Sequence, residues 1–316
     1  MPIYDMEVTS PPIIKAVGVG GGGCNAVRSM IAAGLKGVDF VLTNTDFSQT
    51  AQKEDYLALQ LGPTVTQGLG AGADPQIGRR AAKESARAIE QAIRGADLVF
   101  VAAGMGGGTG TGAAPIIAEL ARGAGALVVG VVTKPFSYEG RRRMKQAEEG
   151  ISELKESVDS LMVIPNDRLR GLSSKETGIL DAFKPANEVL HHAIRGITEV
   201  IYTSGHLNVD FADVRTILGN RGRAIMGIGT AEGTDRARLA AERAITSPLL
   251  EGFDISSAKG VLLNIAGPPE MTMDEYQAAI EVVQERLEVE DELIVGLVLR
   301  EDLEKKIQVT AIATGI

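Results

Sequence analysis

Gly106-Gly107-Gly108-Thr109-Gly110-Thr111-Gly112 puts five glycines into seven positions. Such a backbone can curl until several N–H groups converge on one spot, which is how a polyphosphate is held. An apolar, β-branched run at 96–101 reads as a buried strand before it, and 116–121 reads as a helix after it. The positive end of that helix adds to the attraction for phosphate. A Gly/Thr linker is the bland alternative, but linkers do not join a buried strand to a buried helix. No Gly-Lys-Ser/Thr follows the glycines, so this is not a Walker A loop. Gly108, as a loop position, is expected to accept valine with little loss of fold and much loss of phosphate binding.

Other residues could do chemistry. Gly18, Gly20 and Gly23 match G-x-G-x-x-G, with Asp39 downstream. Alone that is the dinucleotide fingerprint of an oxidoreductase, and the second glycine stretch weakens the case because one such loop suffices. Asn44-Thr45-Asp46 closes the strand at 38–42, where ligands bind in open α/β sheets, although Asp46 would serve equally as a helix N-cap. Glu139 precedes Arg141-Arg142-Arg143, and three adjacent arginines usually make a solvated face. Asp210 and Asp213 share a helix face, and the local reading is an N-cap followed by a first-turn acid. His191, His192 and His206 have no metal-ligand spacing, and no metal site is expected from protein side chains.

The elements that must carry these residues alternate. Strands are expected at 13–19, 38–42, 57–61, 96–101, 126–132 and 160–165, with helices between them, including one over 77–93. The near-continuous apolar strand at 126–132 is of the kind buried on both faces of a parallel sheet. The fold class is therefore α/β, with a doubly wound, mostly parallel sheet. A wide apolar stripe from Ile179 to Ile201 reads as a long buried helix in which Pro185 either makes a kink or marks the start of the regular part. Strands at 224–229, 260–265, 293–298 and 307–312 with two helices make a smaller α+β domain, its last two strands close enough to pair. A net charge of −9 argues against nucleic-acid binding, and the single cysteine, Cys24, fits a reducing compartment. Residues 1–12 read as a loose arm without a signal peptide, and no run is long enough to insert into a membrane.

The glycine signature, Asn-Thr-Asp at 44–46, Gly-Leu-Gly-Ala-Gly-Ala at 68–73 and the segment at 208–213 together resemble the FtsZ family of the tubulin superfamily, from about Ile13 to Ile316. The resemblance implies a GTP-binding domain at 13–176, a central helix and linker at 177–206, and a C-terminal activation domain at 207–316. It implies a cytoplasmic GTPase that self-assembles head to tail, with division-ring proteins as partners, at the mid-cell division site. GTP or GDP and Mg²⁺ are its cofactors. Gly21, Gly22 and Asn25 would touch nucleotide, with Asn44 and Asp46; Gly70, Ala71 and Gly72 would lie beside the γ-phosphate. Gly104, Gly106, Gly107, Gly108, Thr109 and Gly110 would cradle phosphates, and Thr133, Glu139 and Arg143 would line ribose and phosphates. Asn166, Phe183 and Asn187 would read the base together with Asn25. Asp210 and Asp213, with Asn208, would act on the nucleotide of the next subunit. Ala266-Gly267-Pro268-Pro269 departs from the family's usual Thr-Ala-Gly. The family's disordered linker and C-terminal partner-binding peptide do not follow Ile316, so a truncated chain is expected. The alternatives are a GTP-binding scaffold with negligible hydrolysis and, remotely, a nicotinamide-dependent oxidoreductase.

Overall fold

The computed structural model describes residues 11–46, 48, 52–169, 184–202, 209–219, 222–253, 257–286 and 293–316. The expectations for Phe183, Asn208 and most of the N-terminal arm fall outside these residues.

The strands are β1 (Ile14–Val19), β2 (Asp39–Asn44), β3 (Leu57–Gln60), β4 (Leu98–Gly104), β5 (Leu127–Lys134), β6 (Ser160–Pro165), β7 (Gly222–Glu232), β8 (Gly260–Gly267), β9 (Leu293–Leu299) and β10 (Lys306–Thr314). They form one ten-stranded sheet in the order β3-β2-β1-β4-β5-β6-β7-β10-β8-β9. Pairing is parallel from β3 through to β7; β10 then runs antiparallel to both β7 and β8, and β9 lies parallel to β8. The expected β9–β10 pair does not form, because β8 lies between them. Every residue of β8 is buried, so it belongs in the interior of the sheet; β9 is mostly half-exposed and takes the edge.

The helices are α1 (Gly20–Ala32), α2 (Pro63–Thr66), α3 (Pro75–Glu84), α4 (Ala86–Ile93), α5 (Thr109–Gly123), α6 (Arg141–Ser157), α7 (Asn166–Leu169), α8 (Lys184–Tyr202), α9 (Phe211–Gly219), α10 (Arg236–Ile245) and α11 (Met273–Gln284). The single helix expected over 77–93 is broken at Ser85, whose hydroxyl accepts from the Gly62 N–H at 2.9 Å. Helix α1 begins at Gly20 and α5 at Thr109, so much of what reads as glycine loop is the first turn of a helix. Glycine's poor helix propensity hides this in the sequence. Packing overrides propensity: a Cβ on Gly18 would stand 2.6 Å from the Gly23 carbonyl oxygen, and one on Gly110 2.5 Å from that of Gly104. Only glycine lets these helices start so close to the strands they follow.

The sheet is covered on both faces. One face packs on α1, α8 and α9 as a core that runs from Ile14 to Ile312. The other face carries two separate cores, one beneath α3 to α6 and one beneath α10 and α11. Helix α8, nineteen residues and about 28 Å long at 1.5 Å per residue, runs the depth of the molecule.

Candidate functional site

Strands β3-β2-β1-β4-β5-β6 wind outward from β1 and β4, and the crevice beyond their C-terminal ends is where such sheets bind ligands. A cavity of about 300 Å³ opens there. Its lining comes from the start of α1 (Gly21, Gly22, Asn25), the β4–α5 junction (Gly104, Gly107, Gly108, Thr109, Gly110), Thr133, Glu139, Arg143, Asn166 and Asn187. These elements lie far apart in sequence and meet because parallel strands deliver all their C-terminal ends to one edge.

The first N–H groups of α5 have no acceptor inside the helix, and its positive end faces this junction. The glycines here differ in their surroundings. A Cβ on Gly107 or Gly21 would meet nothing within 4 Å, so both face open space. A Cβ on Gly108 would stand 2.8 Å from Ala71 Cβ and 2.9 Å from Asp74 N. Gly108 is therefore packed, and valine there damages the fold as well as the cavity, contrary to the sequence expectation. Gly106 has φ +96° and borders a recess next to the cavity with Arg142, Arg143 and Gln146.

Asn44, Asp46, Gly70, Ala71 and Gly72 are not among the residues that line the cavity, and a Cβ on Gly70 or Gly72 would meet nothing within 4 Å. The Asn44 carboxamide oxygen accepts from Thr45 N at 2.8 Å, and the Asp46 carboxylate accepts from Ser48 N and Oγ at 2.9 and 2.7 Å. This turn holds Thr45 Oγ1 2.6 Å from Thr109 Oγ1. Gly70 N donates to Thr45 O, tying the 68–73 loop to the same turn, and Ala71 packs under Gly108.

The polar groups fall into spent and available sets. The Glu139 carboxylate accepts from Phe136 N at 2.8 Å and pairs with Arg143 at 3.0 Å. Among the described residues it is the only carboxylate in the lining. Asn166 is 5% exposed, and its Oδ1 is buried with no hydrogen-bond partner among the described residues. A buried acceptor of this kind costs about 1–3 kcal/mol unless a ligand satisfies it. Asn25 is exposed, and its Oδ1 accepts from Arg28 at 3.2 Å. Ala186 and Leu190 join Asn187 in the lining, an i, i+4 pair beside it on one face of α8 that the sequence reading missed. Pro185 is the second residue of the described helix. Cys24 bonds to the carbonyls of Gly18 and Thr43, and burial pushes its thiol up to about 11, so it is structural and protonated.

Asp39 stands at the opposite edge of the sheet, at the start of β2, with its carboxylate 3.9 Å from Lys15 Nζ. It is about 16 Å of strand away from the glycine-bearing edge, out of reach of a ribose held there. That removes the dinucleotide reading of Gly18, Gly20 and Gly23. These glycines serve helix–strand packing instead.

Asp210 and Asp213 do not line the cavity. Helix α8 leaves it at Asn187 and ends at Tyr202, whose hydroxyl donates to Pro12 O just before β1. Helix α9 follows, and its far end is fixed by Thr314 Oγ1 donating to Ile217 O at 2.9 Å. Asp210 accepts from Ala212 N at 3.1 Å as an N-cap, and both acids are exposed. The capping role read from the sequence holds, and it leaves the acids facing solvent.

Among the described residues no group of three or more His, Cys, Asp or Glu could hold a metal ion, and no helix is long and apolar enough to cross a membrane.

The Tubulin/FtsZ family GTPase domain matches residues 13–174, and the FtsZ family C-terminal domain matches residues 222–316. Among solved structures, an empty FtsZ dimer from M. jannaschii is 41% identical with a TM-score of 0.92, covering 98% of this chain and 89% of that one. An FtsZ variant from M. jannaschii is 42% identical with the same TM-score, covering 97% and 92%. A GTPγS-bound protofilament of CetZ2 from Haloferax volcanii shares the fold at a TM-score of 0.81 and 22% identity, covering 96% and 93%.

Proposed function

The chain belongs to the tubulin/FtsZ family of GTPases, and from that premise we propose that it assembles head to tail and completes its GTP site only between subunits. GTP occupies the cavity at the C-terminal edge of the sheet. Gly107, Gly108, Thr109 and Gly110 hold the β- and γ-phosphates with α5 behind them. Thr133, Glu139 and Arg143 line the ribose and phosphates, and Asn25, Asn166 and Asn187 read the base. The amides of asparagine match the O6 and N1–H pattern of guanine and would be left unpaired by adenine. Mg²⁺ would be held by the nucleotide's own phosphate oxygens, since among the described residues no free carboxylate lines that side of the cavity; it would supply charge neutralisation when bound.

One observation carries this reading. Among the described residues the cavity has no free general base, because the one carboxylate lining it is engaged by Arg143 and Phe136 N, while Asp210 and Asp213 are exposed at α9, beyond the far end of α8. The acids of one subunit reach a nucleotide only on another. They orient or polarise the attacking water, and loss of the γ-phosphate weakens the contact. The family setting makes division-ring assembly in the cytoplasm the expected biological role.

The test is Asp213→Ala. It should bind GTP and polymerise, while hydrolysis falls by roughly 10²–10⁴-fold, the range for a lost acid–base or water-positioning group. Mixed with Gly107→Val, which lacks nucleotide but keeps its acids, it should regain activity that neither protein shows alone. Near-normal turnover in assembled Asp213→Ala would falsify the trans role, and it would leave Asp213 as a helix acid worth about 0.3–1 kcal/mol.

A further inference from the structure

On the face of the sheet away from α8, the two cores stop short of each other. Between them, over the joint of β6 and β7, lies a second cavity of about 530 Å³. The joint itself is thin: among the described residues, Ser160↔Gly222, Leu161↔Arg223 and Met162↔Ala224 pair across it. The floor is apolar, with Leu161 and Val163 from β6 and Ile225 from β7, closed by Ile151 and Phe253. The rim is basic. Lys134, Lys155, Arg168 and Arg223 line it against one acid, Glu148, which is taken by Lys134 at 3.1 Å. Arg168 is fixed, donating to Leu249 O at 3.0 Å with its guanidinium 5.6 Å from the Phe253 ring centre. Lys155 and Arg223 are exposed, and neither side chain has a partner among the described residues.

Four cations around an apolar hollow stand out in a chain of net charge −9. The volume falls in the range of small-molecule clefts, which pair apolar walls with a few placed polar groups. The cavity shares no lining residue with the glycine-lined one, yet it touches the same strand ends. Lys134 and Pro165 line it, while their neighbours Thr133 and Asn166 line the other. Alternation of side chains along β5 turns Thr133 and Lys134 in opposite directions.

We infer that this cavity binds an amphipathic organic anion. Its apolar body sits on Leu161, Val163, Ile225 and Phe253, and its anionic group is met by Lys155 and Arg223. Such a ligand touches both halves of the molecule across their thinnest joint. An acidic group without an apolar body would leave the floor wet, and an apolar body without charge would leave the cations unmet.

The probe is 8-anilinonaphthalene-1-sulfonate, followed by its fluorescence on the folded chain, with neutral N-phenyl-1-naphthylamine beside it. The sulfonate should show one saturable class of site. Lys155→Glu with Arg223→Glu should weaken it by about tenfold or more, the scale of losing charge contacts at a partly enclosed site. Lys83→Glu with Arg87→Glu, the same charge change on another exposed surface, should leave the affinity within about twofold. The neutral analogue should respond to neither pair. Ser152→Trp, which fills the hollow from the exposed side of α6, should abolish binding of both probes. Equal weakening by the two charge-reversal pairs, or indifference to the Lys155/Arg223 pair or to Ser152→Trp, overturns the assignment.

Discussion

The two ends of α8 differ in what they lack. At Asn187 the helix borders a cavity whose only carboxylate among the described residues is engaged; beyond Tyr202 the chain presents two exposed carboxylates on α9. On the proposed reading, neither end is a complete hydrolytic site. Both sets of groups are held by ordinary means, packed glycines at one end and an N-cap at the other. What separates them is α8, a rigid spacer of about 28 Å. On the proposed reading, the cavity and the two acids meet only between subunits, one from each end of α8.

The largest expected effect lies at the cavity end. Gly107 faces open space and Gly108 faces Ala71 and Asp74. Gly107→Val should cut GTP affinity by about 100-fold or more with a wild-type melting curve, as a side chain there displaces phosphate without touching the core. Gly108→Val should also lower stability by about 1–3 kcal/mol, the usual penalty of overpacking. Nucleotide retention read beside thermal melting separates the two; equal melting curves would mean that Gly108 is not packed as described.

A smaller effect sharpens the base reading. Asn166→Ala removes the one buried acceptor left unpaired in the cavity. GTP binding should weaken by about 1–3 kcal/mol, and the preference over ATP should narrow by a similar factor. A competition titration with unchanged preference would place Asn166 outside the base pocket.

A pH-dependent effect, small near neutrality, concerns the spacer itself. Burial, first of all, and the nearby Arg195 and Arg300 push His191 and His192 down from 6.5 to about 4; His192 also bears on His191. The unfolded histidines then bind protons that the folded ones refuse. Their stabilising effect is complete above pH 6.5 and is lost as pH falls towards 4, by up to about 1.4 kcal/mol per pH unit for each histidine. Denaturant titrations between pH 7 and 5 should show this slope, and His191→Gln should reduce it. A flat profile would show that α8 accepts charge.

Much of this molecule is legible in its sequence. The β-branched runs place the strands, their alternation with helices gives the parallel sheet, and the glycine signature marks the ligand edge. The helical starts at Gly20 and Thr109 were not legible, because glycine's local preference speaks against helix and the close strand contact that reverses it is long-range. Nor was the place of Asn44, Asp46 and the 70–72 loop outside the cavity lining, because a motif carries no record of which residues face a hollow. The order of β8, β9 and β10 escaped for a related reason. Strands adjacent in sequence are the natural pair, and only the burial of β8 on both faces draws it between them.

The sequence by itself determined the element types, the parallel half of the sheet and the cap at Asp210. These follow from periodicity, propensity and side-chain chemistry within a few residues of one another. Tertiary structure alone decided which glycines are packed and which are open, that Asp39 lies at the wrong edge for a ribose, that the Asp210 and Asp213 carboxylates stand away from their own cavity, and that a basic hollow covers the joint of β6 and β7. Each depends on groups remote in sequence meeting in space, and local physical chemistry carries no record of such meetings.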